Sequence, residues 1–236
     1  MTSERAPLSA AGDAPTLAED RTADFPRSES GGLVAWQPNP LVIVISGPSG
    51  AGKDAVIERL LALDDSPHFV VTATSRPRRQ GECDGVHYHF LAAEEFERRL
   101  GLGEFLEHAL IYGDHYGVLR RELTDALDRG EDVVVRVDVQ GARTLRSLLP
   151  EAVFVFVVAE SEEELLRRLH DRGSEDEQSL ARRGAKLRQE LSCLADFDYV
   201  VVNRRGCLEE AVQELAAIIT AEQLCVHRRY PRVGSA

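Results

Sequence analysis

The residues whose types and spacing most plainly carry chemistry are Gly47-Pro48-Ser49-Gly50-Ala51-Gly52-Lys53. Glycine, four residues, glycine and lysine is the spacing of a phosphate-binding loop. Backbone N–H groups wrap a phosphate closely only where few side chains intervene, and Lys53 adds a full positive charge for the terminal phosphates of a nucleotide. The competing reading is a glycine-rich turn that merely joins two elements. Against it, an apolar β-branched run at 41–45 precedes the loop and a helical pattern at 53–63 follows. Strand, loop and helix in that order are what a phosphate cradle needs, and the helix start contributes the positive end of its dipole. The loop departs from the pattern after the lysine. Ser or Thr, whose hydroxyl helps hold magnesium, is replaced by Asp54, followed by Ala55. A carboxylate beside a bound triphosphate repels it and calls for a compensating cation. Magnesium, which takes oxygen ligands and often only one or two carboxylates, is the expected candidate, with Asp54 as its ligand. The bland alternative is an acid that faces away and favours the helix N-terminus.

Arginines cluster in three further places: Arg76, Arg78 and Arg79; Arg167, Arg168 and Arg172; Arg182, Arg183 and Arg188. A guanidinium fork holds a phosphate through two parallel hydrogen bonds, so paired arginines suit a monophosphate. Taken alone, each cluster also reads as a solvated charged loop. Asp138 ends an apolar run at 133–139, and ligands of α/β sheets bind at strand ends. The four cysteines, Cys83, Cys193, Cys207 and Cys225, include no Cys-x-x-Cys pair and lie beside no spaced histidines, which argues against zinc. Reduced thiols in the cytoplasm are the plain expectation. His87, His89, His108 and His115 have no ligand spacing and read as surface or satisfied core histidines.

These residues need a scaffold. The chain has 236 residues, enough for one sizeable core. Its net charge of -12 argues against binding long nucleic acid through a broad basic surface, and no apolar run is long enough to span a bilayer. Residues 1–40 are rich in Ala, Ser, Pro and acids and are expected to form a flexible tail, neither a secretory signal nor a transit peptide. Strands are expected at 41–45, 69–74, 133–139, 153–158 and 199–202, and a hairpin near 81–90 around Asp84-Gly85. Helices are expected at 53–63, 93–100, 119–129, from Ser161 (with Glu164, a capping-box signature) to about 194, and at 208–224. Alternating strands and helices predict an α/β fold with a parallel sheet flanked by helices, as in P-loop NTPases.

The segment Thr74-Ser75-Arg76-Pro77-Arg78-Arg79-Gln80-Gly81-Glu82, leading into Asp84-Gly85-Val86-His87-Tyr88-His89-Phe90, resembles the GMP-binding segment of guanylate kinases. The resemblance continues through 104–107, 112–117, 137–141, 168–173, Arg183 and Val202-Asn203, and covers roughly 41–224. It implies a core (41–73, 131–160 and 196–224), an inserted GMP-binding lobe (74–130), a helical lid (161–195) and a C-terminal tail at 225–236. It implies ATP as co-substrate with magnesium, and phosphoryl transfer to GMP. Arg76 and Arg79 would clamp the GMP phosphate, with Glu82, Tyr88 and Tyr116 in the same substrate site. Thr72 would lie near the guanine, and Glu107 and Asp138 would read it. Carboxylate acceptors suit the N–H and NH₂ donors on the pairing edge of guanine. Arg168, Arg172 and Arg183 would serve the lid side of the ATP site, and Asn203 would lie near the ATP base. Two positions depart from the family: Arg136 stands where an acid is usual, and Val118 where Ser or Thr is common. Gly52-Lys53-Asp54 also resembles ribose bisphosphokinases of the same superfamily. The intact 76–88 segment and Glu107 speak against that, and Lys53 speaks against a non-catalytic guanylate-kinase-like scaffold module.

Overall fold

The computed structural model describes residues 39–63, 67–111, 113–171, 187–226, 231 and 233. In chain order the elements are β1 (Val42–Ser46), α1 (Lys53–Leu61), β2 (His68–Val70), β3 (Ala73–Thr74), β4 (His89–Phe90), α2 (Ala93–Gly101), β5 (Phe105–Ile111), β6 (Asp114–Leu119), α3 (Arg120–Asp128), β7 (Val133–Arg136), α4 (Val139–Leu148), β8 (Val153–Val158), α5 (Glu162–Asp171), a 3₁₀ turn (Leu194–Asp196), β9 (Tyr199–Val202) and α6 (Leu208–Gln223).

The main sheet has five strands in the order β2-β7-β1-β8-β9, and every pairing in it is parallel. Its central strands are apolar on both faces because helices cover both, as the β-branched runs require. Alternate residues of β1 divide between two cores. Ile43 and Ile45 pack with α1, α6 and Leu165 of α5; Val42 and Val44 pack with α3 and α4. The expected α/β architecture is therefore the observed one.

A second sheet, in the order β4-β3-β6-β5, stands beyond the end of β2. Its small core is Ala73, Phe96 and Phe105, the two rings stacked at 4.3 Å between centroids. Several expectations change here. The strand expected at 69–74 is two strands, since the chain leaves the main sheet after Val70 and enters the second at Ala73. The segment at 81–90 is not a hairpin: Asp84 and Tyr88 form one isolated parallel bridge, and β4 runs parallel to β3. The real hairpin is β5–β6, with Ile111 opposite Asp114. The strand expected at 133–139 stops at Arg136 because the side chain of Asp138 caps α4, accepting from Gly141 N at 2.8 Å. The last part of the segment expected to form the lobe, α3, packs Leu123, Ala126 and Leu127 against the main sheet. In the expected C-terminal tail, Val233 packs against the same core. Among the described residues, no helix is long and apolar enough to cross a membrane.

Candidate active site

The glycine-rich loop links the end of β1 to α1 at the C-terminal edge of the parallel sheet, where α/β folds bind ligands. Gly52 has φ +84, and a Cβ there would meet Asn203 Nδ2 at 2.3 Å, so only glycine fits this close packing. Gly52 is also the N-cap of α1, and no side chain caps that helix start. Lys53 Nζ donates to the carbonyls of Gly47 (2.6 Å) and Pro48 (3.0 Å), which folds its charge back over the loop. Burial holds its amine down to about 8, only partly offset by Asp54. Pro48, Gly50 and Ala51 are buried and Ser49 is exposed.

The far side of the loop is pinned through Ala51. Its carbonyl accepts from Asn203 Nδ2 (2.9 Å) and Arg168 Nη1 (3.3 Å), and Arg168 Nη2 donates to Asn203 O at 3.0 Å. Asn203 follows β9 and Arg168 lies on α5, so three elements meet at one peptide. Ser161 caps α5 by accepting from Glu164 N at 3.1 Å, one half of the expected capping box; the Glu164 carboxylate turns to the arginines instead. The Glu164 carboxylate binds Arg167 and Arg168 side by side, and those guanidinia pull it down to about 2. Arg172 and Arg183, also expected on this side, lie outside the described residues.

On the other side, Arg76 is buried and its fork is bidentate on Glu82, at 2.7 and 3.0 Å. Burial opposes its charge, but Glu82 and the Tyr116 hydroxyl outweigh this and raise its pKa. Glu82 is held below the usual carboxylate range by Arg76, and it also accepts from Arg79 N at 2.7 Å. The Arg79 side chain is exposed. The Tyr88 ring meets Tyr116 edge-on at 5.9 Å and lies 5.4 Å from the Arg76 guanidinium. Burial pushes the Tyr88 phenol up.

Glu107, on β5, is buried, and its Oε1 has no hydrogen-bond partner. Burial, together with the nearby Asp138 carboxylate, raises its pKa to about 8. Gly141 leaves the space: a Cβ there would come within 2.9 Å of Glu107 Oε1. Thr72 is also buried, with its carbonyl taken by His89 N at 3.0 Å. A desolvated carboxyl beside a second acid, with an acceptor oxygen unused, is a site for a ligand that presents N–H donors.

The family model for guanylate kinases matches residues 39–222. The chain belongs to the guanylate kinase family. It is 50% identical over 197 residues to guanylate kinase 2, chloroplastic/mitochondrial, of Oryza sativa subsp. japonica, covering 83% of this chain and 69% of that one. It is 44% identical over 187 residues to the guanylate kinase of Symbiobacterium thermophilum, covering 79% and 88%. The crystal structure of guanylate kinase from Anaplasma phagocytophilum superposes with a TM-score of 0.66 at 32% identity, covering 81% of this chain and 90% of that one.

Within this guanylate kinase framework, the residues that sequence reasoning noted without assigning a role at the site are Arg136 and Glu164. Arg136 Nη1 is paired with Asp54 Oδ1, so the departure in the phosphate loop touches one of the two departures from the family. The signal lay in their opposite charges, but 82 residues separate them and only the fold brings them together. Asp54 therefore already has a cation. Its carboxylate is half exposed beside the phosphate loop, a hard oxygen donor that suits magnesium shared with nucleotide phosphates. Among the described residues, no group of three or more His, Cys, Asp or Glu could hold a metal by itself.

Proposed function

We propose that the chain transfers a phosphoryl group from ATP to GMP, and to dGMP, giving ADP and GDP, as a step in purine nucleotide metabolism and GMP recycling. The observation that carries the reading is Glu107, a buried carboxyl with an unused acceptor next to Asp138, in the same molecule as an intact phosphate loop. The pairing edge of guanine offers adjacent N–H and NH₂ donors to such a group; adenine offers a different pattern. A site built around such contacts discriminates strongly, because a wrong base leaves buried groups unpaired.

In this reading Arg76 and Arg79 hold the acceptor phosphate, with Tyr88 and Tyr116 beside it, while Glu82 sets the Arg76 fork. Thr72 lies at the base site. The loop from Gly47 to Gly52 cradles the donor phosphates through the backbone N–H groups of its residues other than Pro48, and Lys53 exchanges its carbonyl partners for phosphate oxygens. Arg168, Arg172 and Arg183 neutralise charge from the lid side, and Asn203 borders the ATP base. Asp54 would hold magnesium, which would supply charge neutralisation when bound. Phosphoryl transfer needs positioning and electrostatics more than covalent help from the protein. The acceptor phosphate is largely ionised at neutral pH, so no general base is required. All four cysteines are free thiols, which supports a reducing compartment such as the cytoplasm.

The test is ADP formation with GMP, dGMP, AMP and ribose phosphates as acceptors. GMP and dGMP should be turned over and the others not. A preference for AMP or a ribose phosphate would refute the base assignment.

A further inference from the structure

We propose that Arg136 is a positioning residue that fixes the acceptor-phosphate side of the site against the donor-phosphate loop. The proposal rests on the GMP kinase reading and deepens it.

Arg136 ends β7, between the two halves of the site. Its side chain is only 12% exposed. Nη1 pairs with Asp54 in the first turn of α1, next to Lys53. Nη2 donates to His87 O at 3.4 Å. The guanidinium lies 4.7 Å from the centre of the Tyr88 ring and 5.7 Å from that of Phe69 on β2. One planar cation thus touches the helix that follows the phosphate loop, the main sheet, and the segment carrying Tyr88. Tyr88 in turn contacts the Arg76 guanidinium, which Glu82 holds. The contacts form one chain: Glu82, Arg76, Tyr88, Arg136, Asp54. It joins the arginine assigned to the acceptor phosphate to the residue adjoining the donor-phosphate lysine.

The energetics place the weight on the buried end of this chain. Asp54 is 54% exposed, so its ion pair is screened and weak, whereas a guanidinium on a tyrosine face gains strength as both lose water. Lysine cannot replace arginine fully here, because a compact ammonium cannot stack on a ring while also donating to Asp54 and His87 O. The family's usual acid at this position would carry the wrong charge for Asp54 and for the ring faces. The loop's departure at Asp54 and the family departure at Arg136 are therefore coupled, with the carboxylate on α1 and its cation on β7.

The experiment compares wild-type protein with Arg136→Met and Arg136→Lys. It measures kinetics against GMP and against ATP, calorimetric GMP binding, and thermal unfolding. Loss of the stacked charge should raise the KM and dissociation constant for GMP about ten-fold in Arg136→Met, with partial recovery in Arg136→Lys. The KM for ATP should stay within about two-fold. In a Tyr88→Leu background, which removes the ring, Arg136→Met should add less than about three-fold. Equal changes in both KM values, unchanged GMP affinity, or full additivity with Tyr88→Leu would each overturn the proposal. A lysine variant no better than methionine, with melting lowered in both, would assign Arg136 to stability alone. Failure of wild-type protein to bind GMP would overturn the function and this inference together, whereas normal wild-type turnover with an indifferent Arg136→Met overturns the inference alone.

Discussion

Replacing Glu107 by Gln should stabilise the free protein with rising pH while weakening its hold on GMP. The folded carboxyl has a pKa of about 8, raised first by burial and then by Asp138, against an ordinary value of 4.5. As pH rises through 4.5, the unfolded chain gives up this proton while the folded chain keeps it until about pH 8. The folded state binds more protons across that window, so this group makes stability fall as pH rises. The linkage integral from pH 5 to pH 8 amounts to roughly 3 kcal/mol. Glutamine matches the volume and has no such titration. Denaturant unfolding of both proteins at pH 5, 6, 7 and 8 should therefore show the Gln variant gaining roughly that amount on the wild type across the series. A GMP titration at pH 7, in buffers of different ionisation heat, provides the second readout. Guanine donors call for the ionised carboxylate, so wild-type protein should release about 0.9 proton more than the Gln variant, the fraction still protonated at pH 7. The variant should bind GMP roughly ten- to a hundred-fold more weakly, since one carboxylate acceptor becomes an amide donor. A stability difference that does not move with pH, or equal proton release by the two proteins, would refute this account of Glu107.

The remaining expectations follow from the donor side and the chain ends. Lys53→Ala should lower kcat by at least about a hundred-fold with GMP binding retained in calorimetry. Burial depresses the Lys53 amine to about 8, so its removal relieves a penalty present below that pH, and the variant should melt no lower than wild type at pH 7. Asp54→Ala should raise the magnesium concentration for half-maximal rate, with excess magnesium restoring part of the loss; a normal magnesium curve would end the metal role of Asp54 and leave its pairing with Arg136 intact. Deleting residues 1–38, which precede the family match, should leave kcat and both KM values within about two-fold, and a large loss would show that they contribute to the domain.

The sequence made the main sheet legible because its central strands are buried on both faces, and short runs dominated by β-branched and aromatic residues, such as 42–46 and 153–158, have few other uses. The second sheet was harder. Its strands β3 and β4 have two residues each, too short for any period to register. In β5, Phe105, Leu106 and Glu107 are buried in succession around a register shift, so no alternation marks it. The helix α4 was masked by its own cap: Val137 and Val139 flank Asp138 and extend the look of a strand, while the Asp138 side chain closes the helix start instead. At the site, the phosphate loop could be read from residue types alone. Glu107 and Asp138 needed the family resemblance, since an isolated acid reads equally well as surface. The Asp54–Arg136 pair and the Ala51 carbonyl that receives Arg168 and Asn203 depend on long-range geometry that no local pattern encodes, whereas the Glu164 clamp on Arg168 is an i,i+4 pair that helical spacing does encode.

The charge pairs at the site bear on how a chain with a net charge of -12 receives two polyanionic nucleotides. Three of the arginines around the site pair with a carboxylate: Arg76 with Glu82 and Arg168 with Glu164 in largely buried clamps, and Arg136 with the half-exposed Asp54. Such pairing fixes rotamers of long, flexible side chains before a ligand arrives, so less ordering entropy is lost on binding. It also forces a division of labour. Arg76 and Arg168 keep donors beyond those committed to their acids, because a guanidinium carries five N–H groups, and those can turn to phosphate without breaking the clamp. Lys53 has no carboxylate clamp among its hydrogen bonds; its partners are two carbonyls of the loop itself, which hold it weakly enough to exchange for phosphate oxygens. The cation placed where the largest charge arrives is thus the one least committed to an acid, and the guanidinia that must be oriented in advance are the ones the protein's own carboxylates hold.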